Sequence, residues 1–285
     1  MGNGSGQAGW SQKALEWAWD NKAWITAKLA ELRTWLYSAS TEDDPAGRLL
    51  IIGAGGVGKT TAARYLAGEY DALCECPGEY QESIGVETFS LKDDPSVELV
   101  VPPGQRHRRD STWSEIQTAV AAGEYHGIVL VSSFGFHSLG QISYKHHRLY
   151  KGNDSEFMAA FVQENQKEEL AVVKRLASHL QSNTRKYWLL SLVTKQDLWW
   201  DRNAEVEKYY RSGAYFKQFR GIIEQVGKQY FRHEIVLCSQ TIGNFRTGVG
   251  ELLAETVAGY DHQMQVDSLR RFWETLDALK TWETG

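Results

Sequence analysis

The sequence predicts an α/β fold: a doubly wound, mostly parallel sheet of six strands flanked by helices, with amphipathic helices at both termini. Three observations carry that prediction. Short apolar runs alternate with long stretches of helical periodicity, the pattern of strands buried between helices. The first run, Leu49 to Ile52, is followed at once by a glycine-rich loop and a helix-forming stretch from Thr61 to Ala67. A later run, Ile128 to Val131, is apolar throughout, as a central parallel strand buried on both faces must be.

In chain order, residues 1–9 are a polar, glycine-rich tail. A helix is expected from Ser11 to Tyr37, with Ala14, Ala18, Ile25, Leu29, Leu32 and Leu36 on one face and Trp17, Trp24 and Trp35 on its shoulder. Five of the chain's 11 tryptophans fall in the first 35 residues, so this helix should pack on its own domain or on the C-terminal helix, with partner binding as the alternative. Residues 38–47 read as linker and Gly68 to Ser83 as irregular. Val86 to Leu91 and Val97 to Val101 are strands joined by a turn at Lys92-Asp93-Asp94-Pro95. Phe134 to Asp154 interleaves His137, Lys145, His146, His147, Arg148 and Lys151 with aromatic residues; a solvated loop is expected, contact with a partner or nucleic acid being the alternative.

Farther on, Ser155 to Gln181 is a long helix and Trp188 to Val193 a strand. Ala204 to Tyr230 is helical with a break near Ser212-Gly213, Ile235 to Leu237 is the last strand, and Val249 to Gly259 a helix. Val266, Leu269, Trp273 and Leu276 mark an amphipathic tail. The domain plan is therefore tail, tryptophan-rich helix and linker over 1–47, a nucleotide-binding domain over 48–260, and a helical extension over 261–285. Helix-mediated assembly through 11–37 and 263–282 is a further expectation.

Composition narrows the class. With 285 residues, 42% hydrophobic and 24% charged, the chain can bury a sizeable core. A net charge of −5 offers no global attraction to nucleic acid or anionic membrane. No apolar run reaches the roughly 18–20 residues of a membrane span. Cys74, Cys76 and Cys238 make no disulfide framework, so a reducing, cytoplasmic setting is expected.

The chemistry is concentrated at Gly53 to Thr60, which fits G-x-x-x-x-G-K-[ST] at every position, between a strand and a helix. That is the signature of the P-loop NTPase class. Gly53, Gly55, Gly56, Val57 and Gly58 let successive backbone N–H groups turn toward phosphate oxygens, and Thr61 opens a helix whose positive end assists them. Lys59 is expected on the β and γ phosphates and the Thr60 hydroxyl on Mg²⁺. After the strand ending at Val193 stands Thr194-Lys195-Gln196-Asp197. The Asp197 carboxylate can accept both N–H groups of a guanine edge while the Lys195 stem covers the base plane; adenine would leave the carboxylate unpaired. Cys238, Ser239 and Gln240 follow the last strand, where a backbone N–H can meet the guanine O6. GTP or GDP with Mg²⁺ is the ligand these segments imply.

Taken together, they resemble the Ras superfamily of small GTPases over roughly residues 48–258. Gly53 to Lys59 reads as the Ras phosphate loop, and Thr194 to Asp197 matches the T-K-x-D form of Rho relatives. Ser83-Ile84-Gly85-Val86-Glu87 is similar to the T-I-G-V-E of Rab switch I, with Tyr80 three residues before it. Pro103-Gly104-Gln105 is similar to the switch II glycine and glutamine, and Arg106 to Arg109 to switch II of heterotrimeric α subunits. The resemblance implies that Ser83 joins Thr60 on Mg²⁺ in the GTP state, that Gly104 meets the γ-phosphate, and that Gln105 orients the attacking water, with Gln105 and Lys59 the catalytic residues. It also implies a two-state switch with a protein effector and a GTPase-activating partner, hydrolysis being slow alone. Three departures mark a divergent, bacterial type of member. Val101 stands where the D-x-x-G aspartate belongs, an aspartate that bacterial MglA-type GTPases also lack; Ser83 replaces threonine; and the chain is longer between Ile128 and Tyr187 and again after Asp197. These departures keep open an alternative, a nucleotide-binding interaction module with little or no hydrolysis. A P-loop ATPase or small-molecule kinase is a third, weaker reading.

Overall fold

The computed structural model describes residues 21–38, 47–69, 83–91, 94–180 and 186–284. Residues 11–20 of the expected first helix, most of the linker, Tyr80 and the Cys74–Cys76 pair lie outside them.

Strands β1 (Gly47–Gly53), β2 (Glu87–Leu91), β3 (Asp94–Val101), β4 (Gly127–Ser132), β5 (Tyr187–Val193) and β6 (Phe231–Leu237) form one sheet in the order β2-β3-β1-β4-β5-β6. β2 and β3 are antiparallel and every other pair is parallel. The difference follows from the connections, because a short turn can only reverse the chain whereas a parallel neighbour needs a crossover. The helices are α1 (Lys22–Ser38), α2 (Lys59–Leu66), α3 (Arg106–Ala122), α4 (Asp154–Leu180), α5 (Asn203–Arg211), α6 (Ala214–Val226) and α7 (His262–Thr284). Right-handed crossovers send β1–α2–β3 one way and β4–α4–β5 the other, which puts α2 and α4 on opposite faces. Every residue of β4 and β5 is consequently buried.

α7 lies beside α2: Trp273 Nε1 donates to Tyr65 Oη at 2.7 Å, and Phe272 packs on the same ring. Leu269, Phe272, Trp273, Leu276 and Leu279 join the core of the sheet, so the described part of the C-terminal extension contributes to that core. The described half of the tryptophan-rich helix packs on its own domain and on α7. Trp35 stacks on Trp188 of β5 at 5.4 Å, and Lys28 pairs with Asp277 at 2.6 Å. No helix among the described residues is long and apolar enough to cross a membrane.

Two expectations change. Val249 to Gly259 is not a helix; Leu252–Ala254 (β8) pairs antiparallel with Phe245–Arg246 (β7). Gly250 takes φ +86° in the connecting turn, a conformation that breaks helical continuity, and Thr247 N–H bonds Glu251 O across it at 2.9 Å. The stretch Phe134 to Asp154 is not a solvated loop: Phe134, Phe136, His137, Leu139 and Tyr144 are buried while Lys145, His146, Arg148 and Lys151 face water. Arg106 to Arg109 open the helix α3, and Arg109 is buried, ion-paired with Glu168 of α4 and 5.5 Å from the Trp113 ring.

Gly127 tests the packing directly. A Cβ there would lie 2.0 Å from the Trp188 indole, its register partner, which is itself held by Trp35. Gly127→Ala should therefore destabilise the fold by about 1–3 kcal/mol, the range for overpacking a close-packed core, as measured by denaturant unfolding; an unchanged midpoint would contradict this packing.

Candidate functional site

β1 and β4 are neighbours whose connections leave in opposite directions, β1 toward β3 and β4 toward β5. Such a reversal opens a crevice at the carboxyl ends of the strands. The loop 54–58 rises there. Gly56 and Gly58 take φ of +74° and +97°, and a Cβ on Gly53 would lie 2.3 Å from Val131 O, so this path needs glycine. No side chain caps α2 at Gly58, and the N–H groups of its first turn bring the helix's positive end to the loop.

Lys59 is only 7% exposed, and its Nζ donates to Ala54 O at 3.0 Å. Burial pushes its pKa down to about 8, with Glu87 opposing that shift and Arg109 adding to it. Gly104 covers this lysine so closely that a Cβ would lie 2.4 Å from Nζ and 2.5 Å from Ala54 O. Gln105 precedes α3, its carbonyl accepting from the N–H groups of Arg108 and Arg109 at 3.0 Å. Thr60 is exposed, Thr61 half-buried beside it, and Ser83 half-buried in the coil before β2. The Thr60 hydroxyl donates to Glu87 Oε2 at 3.3 Å.

The end of β5 is bonded to the same loop. Thr194 Oγ1 donates to Val57 O at 2.7 Å. Lys195 Nζ donates to Gly56 O at 2.9 Å, Phe136 O at 2.6 Å and Ser138 Oγ at 3.1 Å, which uses all three ammonium protons. Its backbone is held at φ +60°, unusual for a residue with a Cβ, and burial pushes the ammonium down to about 7 against the pull of Asp197 and Glu169.

Asp197 is 2% exposed. Its Oδ1 lies 2.5 Å from the Ser239 hydroxyl, and its Oδ2 accepts from Gly243 N–H at 3.1 Å. Burial pushes the carboxyl up to about 6, Ser239 and Gly243 acting the other way. Two residues expected near the base face α7 as well. Cys238 Sγ accepts from Ser268 Oγ at 3.6 Å, and Gln240 O accepts from Gln265 Nε2 at 2.9 Å. Burial pushes the Cys238 thiol up to about 12, leaving it an unreactive packing group.

The structure thus brings Gly53 to Thr60, Gly104, Thr194, Lys195, Asp197 and Ser239 into one region. It also recruits residues that motif reading passed over. Glu169 of α4 accepts from Ser133 N–H at 2.8 Å, Gly135 N–H at 3.1 Å and Tyr210 Oη at 2.8 Å, with His137 Nε2 at 3.1 Å; it holds the 133–138 segment that Lys195 reaches. Burial pulls the His137 pKa down, the Glu169 carboxylate acting the other way. The signal for Glu169 was present in the sequence: a lone carboxylate within the apolar stripe of Phe161, Val162, Val172, Val173 and Leu176. Among the described residues no three His, Cys, Asp or Glu side chains converge into a metal cluster. Compared with known proteins, the chain matches no family model and no curated sequence.

Proposed function

We propose that this chain is a cytoplasmic GTP-binding protein of the P-loop NTPase fold, a Mg²⁺-dependent switch that hydrolyses GTP slowly and engages an effector in its GTP form. One observation carries the reading. Thr194 and Lys195 bond the carbonyls of Val57 and Gly56, while Asp197, two residues on, turns its carboxylate to Ser239. A group able to read a base edge is thereby held at a set distance from a loop suited to phosphates. That linkage comes from tertiary hydrogen bonds and does not depend on the motif spelling.

The residues fit the ligands in kind. Gly56 and Gly58 provide the turned backbone a phosphate chain needs, Lys59 the cation, and Thr60 and Ser83 hydroxyl oxygens of the hard type that suits Mg²⁺. Bound Mg²⁺ would draw charge off the β and γ phosphates. In this conformation Gly243 N–H takes one oxygen of Asp197, so guanine binding requires that contact to be exchanged for a ring N–H. Titration calorimetry with GTP, GDP and ATP in Mg²⁺ tests the proposal: GTP and GDP bind and ATP does not. Absence of GTP binding would refute it.

A second reading, a binding module without turnover, is favoured by the buried Val101 at the position of an expected carboxylate. Gln105→Leu separates the two. In the switch, this variant keeps GTP affinity and loses a basal rate on the order of 10⁻⁴–10⁻² s⁻¹; in the module, single-turnover phosphate release is the same with and without it.

A further inference from the structure

We infer that Glu87 supplies the carboxylate of the divalent-cation site, standing in for the one absent at Val101. The inference rests on the nucleotide-binding reading above and names a residue that reading leaves out.

The geometry begins with strand register. Glu87 and Val101 are direct partners in the antiparallel β2–β3 pair. Opposed residues in such a pair project to the same side of the sheet, with Cβ atoms about 4.5–5.5 Å apart. A carboxylate on residue 87 therefore reaches the region that one on residue 101 would serve. Val101 is fully buried and apolar, so position 101 itself offers the cation nothing.

The contacts agree with this placement. Glu87 Oε2 lies 3.3 Å from the Thr60 hydroxyl, the group that the motif assigns to the cation. Glu87 is half-exposed and Thr60 exposed, so both oxygens are accessible to a hydrated ion. Mg²⁺ keeps several waters and is commonly held by one or two protein carboxylates together with substrate phosphates. One hydroxyl, one carboxylate and phosphate oxygens make such a set without a cluster of acids.

A simpler role for the contact is a hydrogen bond tying β2 to α2. Glu87→Gln keeps an acceptor for Thr60 in nearly the same shape while removing the charge, so the two roles diverge in how nucleotide affinity responds to Mg²⁺. The measurement is the ratio of GDP affinities with Mg²⁺ and with EDTA, read from a fluorescent GDP analogue. In Glu87→Gln the ratio should fall by about tenfold or more, the scale of losing an anionic partner of a bound metal. In Glu87→Asp, which keeps the charge, most of the ratio should survive. Equal ratios in wild type and Glu87→Gln would overturn the assignment while leaving nucleotide binding intact, as would equal losses in Gln and Asp variants. A wild type that binds no nucleotide in either buffer would overturn the underlying reading as well.

Discussion

Lys59→Met should lower affinity for GTP and GDP by at least about a hundredfold, or about 2.7 kcal/mol, while leaving the nucleotide-free fold more stable than wild type at pH 7. Both effects come from one buried ammonium. It makes its bond to Ala54 O within the same loop and sits under Gly104, with little water to solvate it. Phosphate oxygens would supply the counter-charge that burial withholds. Without them, burial lowers the folded pKa from 10.5 to about 8.

The sign of the pH effect follows from proton counts. Between pH 8 and 10.5 the unfolded lysine holds a proton that the folded one has lost, so stability rises with pH across that window. Below it, keeping the charge buried costs up to about 3 kcal/mol, from roughly 1.4 kcal/mol per pKa unit. Methionine removes the charge and preserves the bulk of the chain. Calorimetric titration and a thermal melt of the same sample check the two halves together: binding lost with Tm raised. A variant that binds GTP like wild type, or melts lower, would contradict the role assigned to Lys59.

The second large effect is at Asp197. Asp197→Asn should weaken GTP by at least about a hundredfold, since a buried polar group left mismatched is rejected strongly. The same change should raise affinity for xanthosine triphosphate, whose edge presents an acceptor where guanine presents an amino donor. An ATP-binding site of another kind would show no such exchange. The carboxyl adds a pH signature. Burial raises its pKa from 3.8 to about 6 in the free protein, so the folded state holds the extra proton between those values. The associated stability is complete below pH 3.8 and is lost as pH rises through 6. Asparagine should flatten that slope in denaturant titrations, and in wild type GTP affinity should fall as pH drops below about 6, because the protonated carboxyl cannot accept two N–H bonds. GTP affinity unchanged between pH 7 and 5 would count against Asp197 as the base-reading group.

Much of this site was legible because the information is local. The strand before Gly53, the glycines that permit φ of +74° and +97°, and the helix after Lys59 are spelled within about twenty neighbouring residues, the scale on which backbone preference and hydrophobic period act. α3 was harder to see. Its buried face runs Arg109, Trp113, Ile116, Val120, and the arginine that starts it reads as solvent-facing until Glu168 arrives from another helix. The hairpin at Phe245 to Ala254 was hidden for a related reason: an apolar run of that length is compatible with either period, and Gly250 decided it by turning the chain.

The amino-acid sequence by itself determined a glycine loop with its lysine, a sheet of buried apolar strands, and a carboxylate placed just beyond one of them. Only the tertiary structure decided how these parts meet. Lys195 finds Gly56 from 139 residues away, and Ser239 finds Asp197 from 42 away. Glu87 comes opposite Val101 because β2 pairs with β3 in one register, where a slip of one residue would turn that carboxylate to the other face. Pairings of this kind are set by how whole strands bury their apolar faces together, and no short stretch of sequence encodes that.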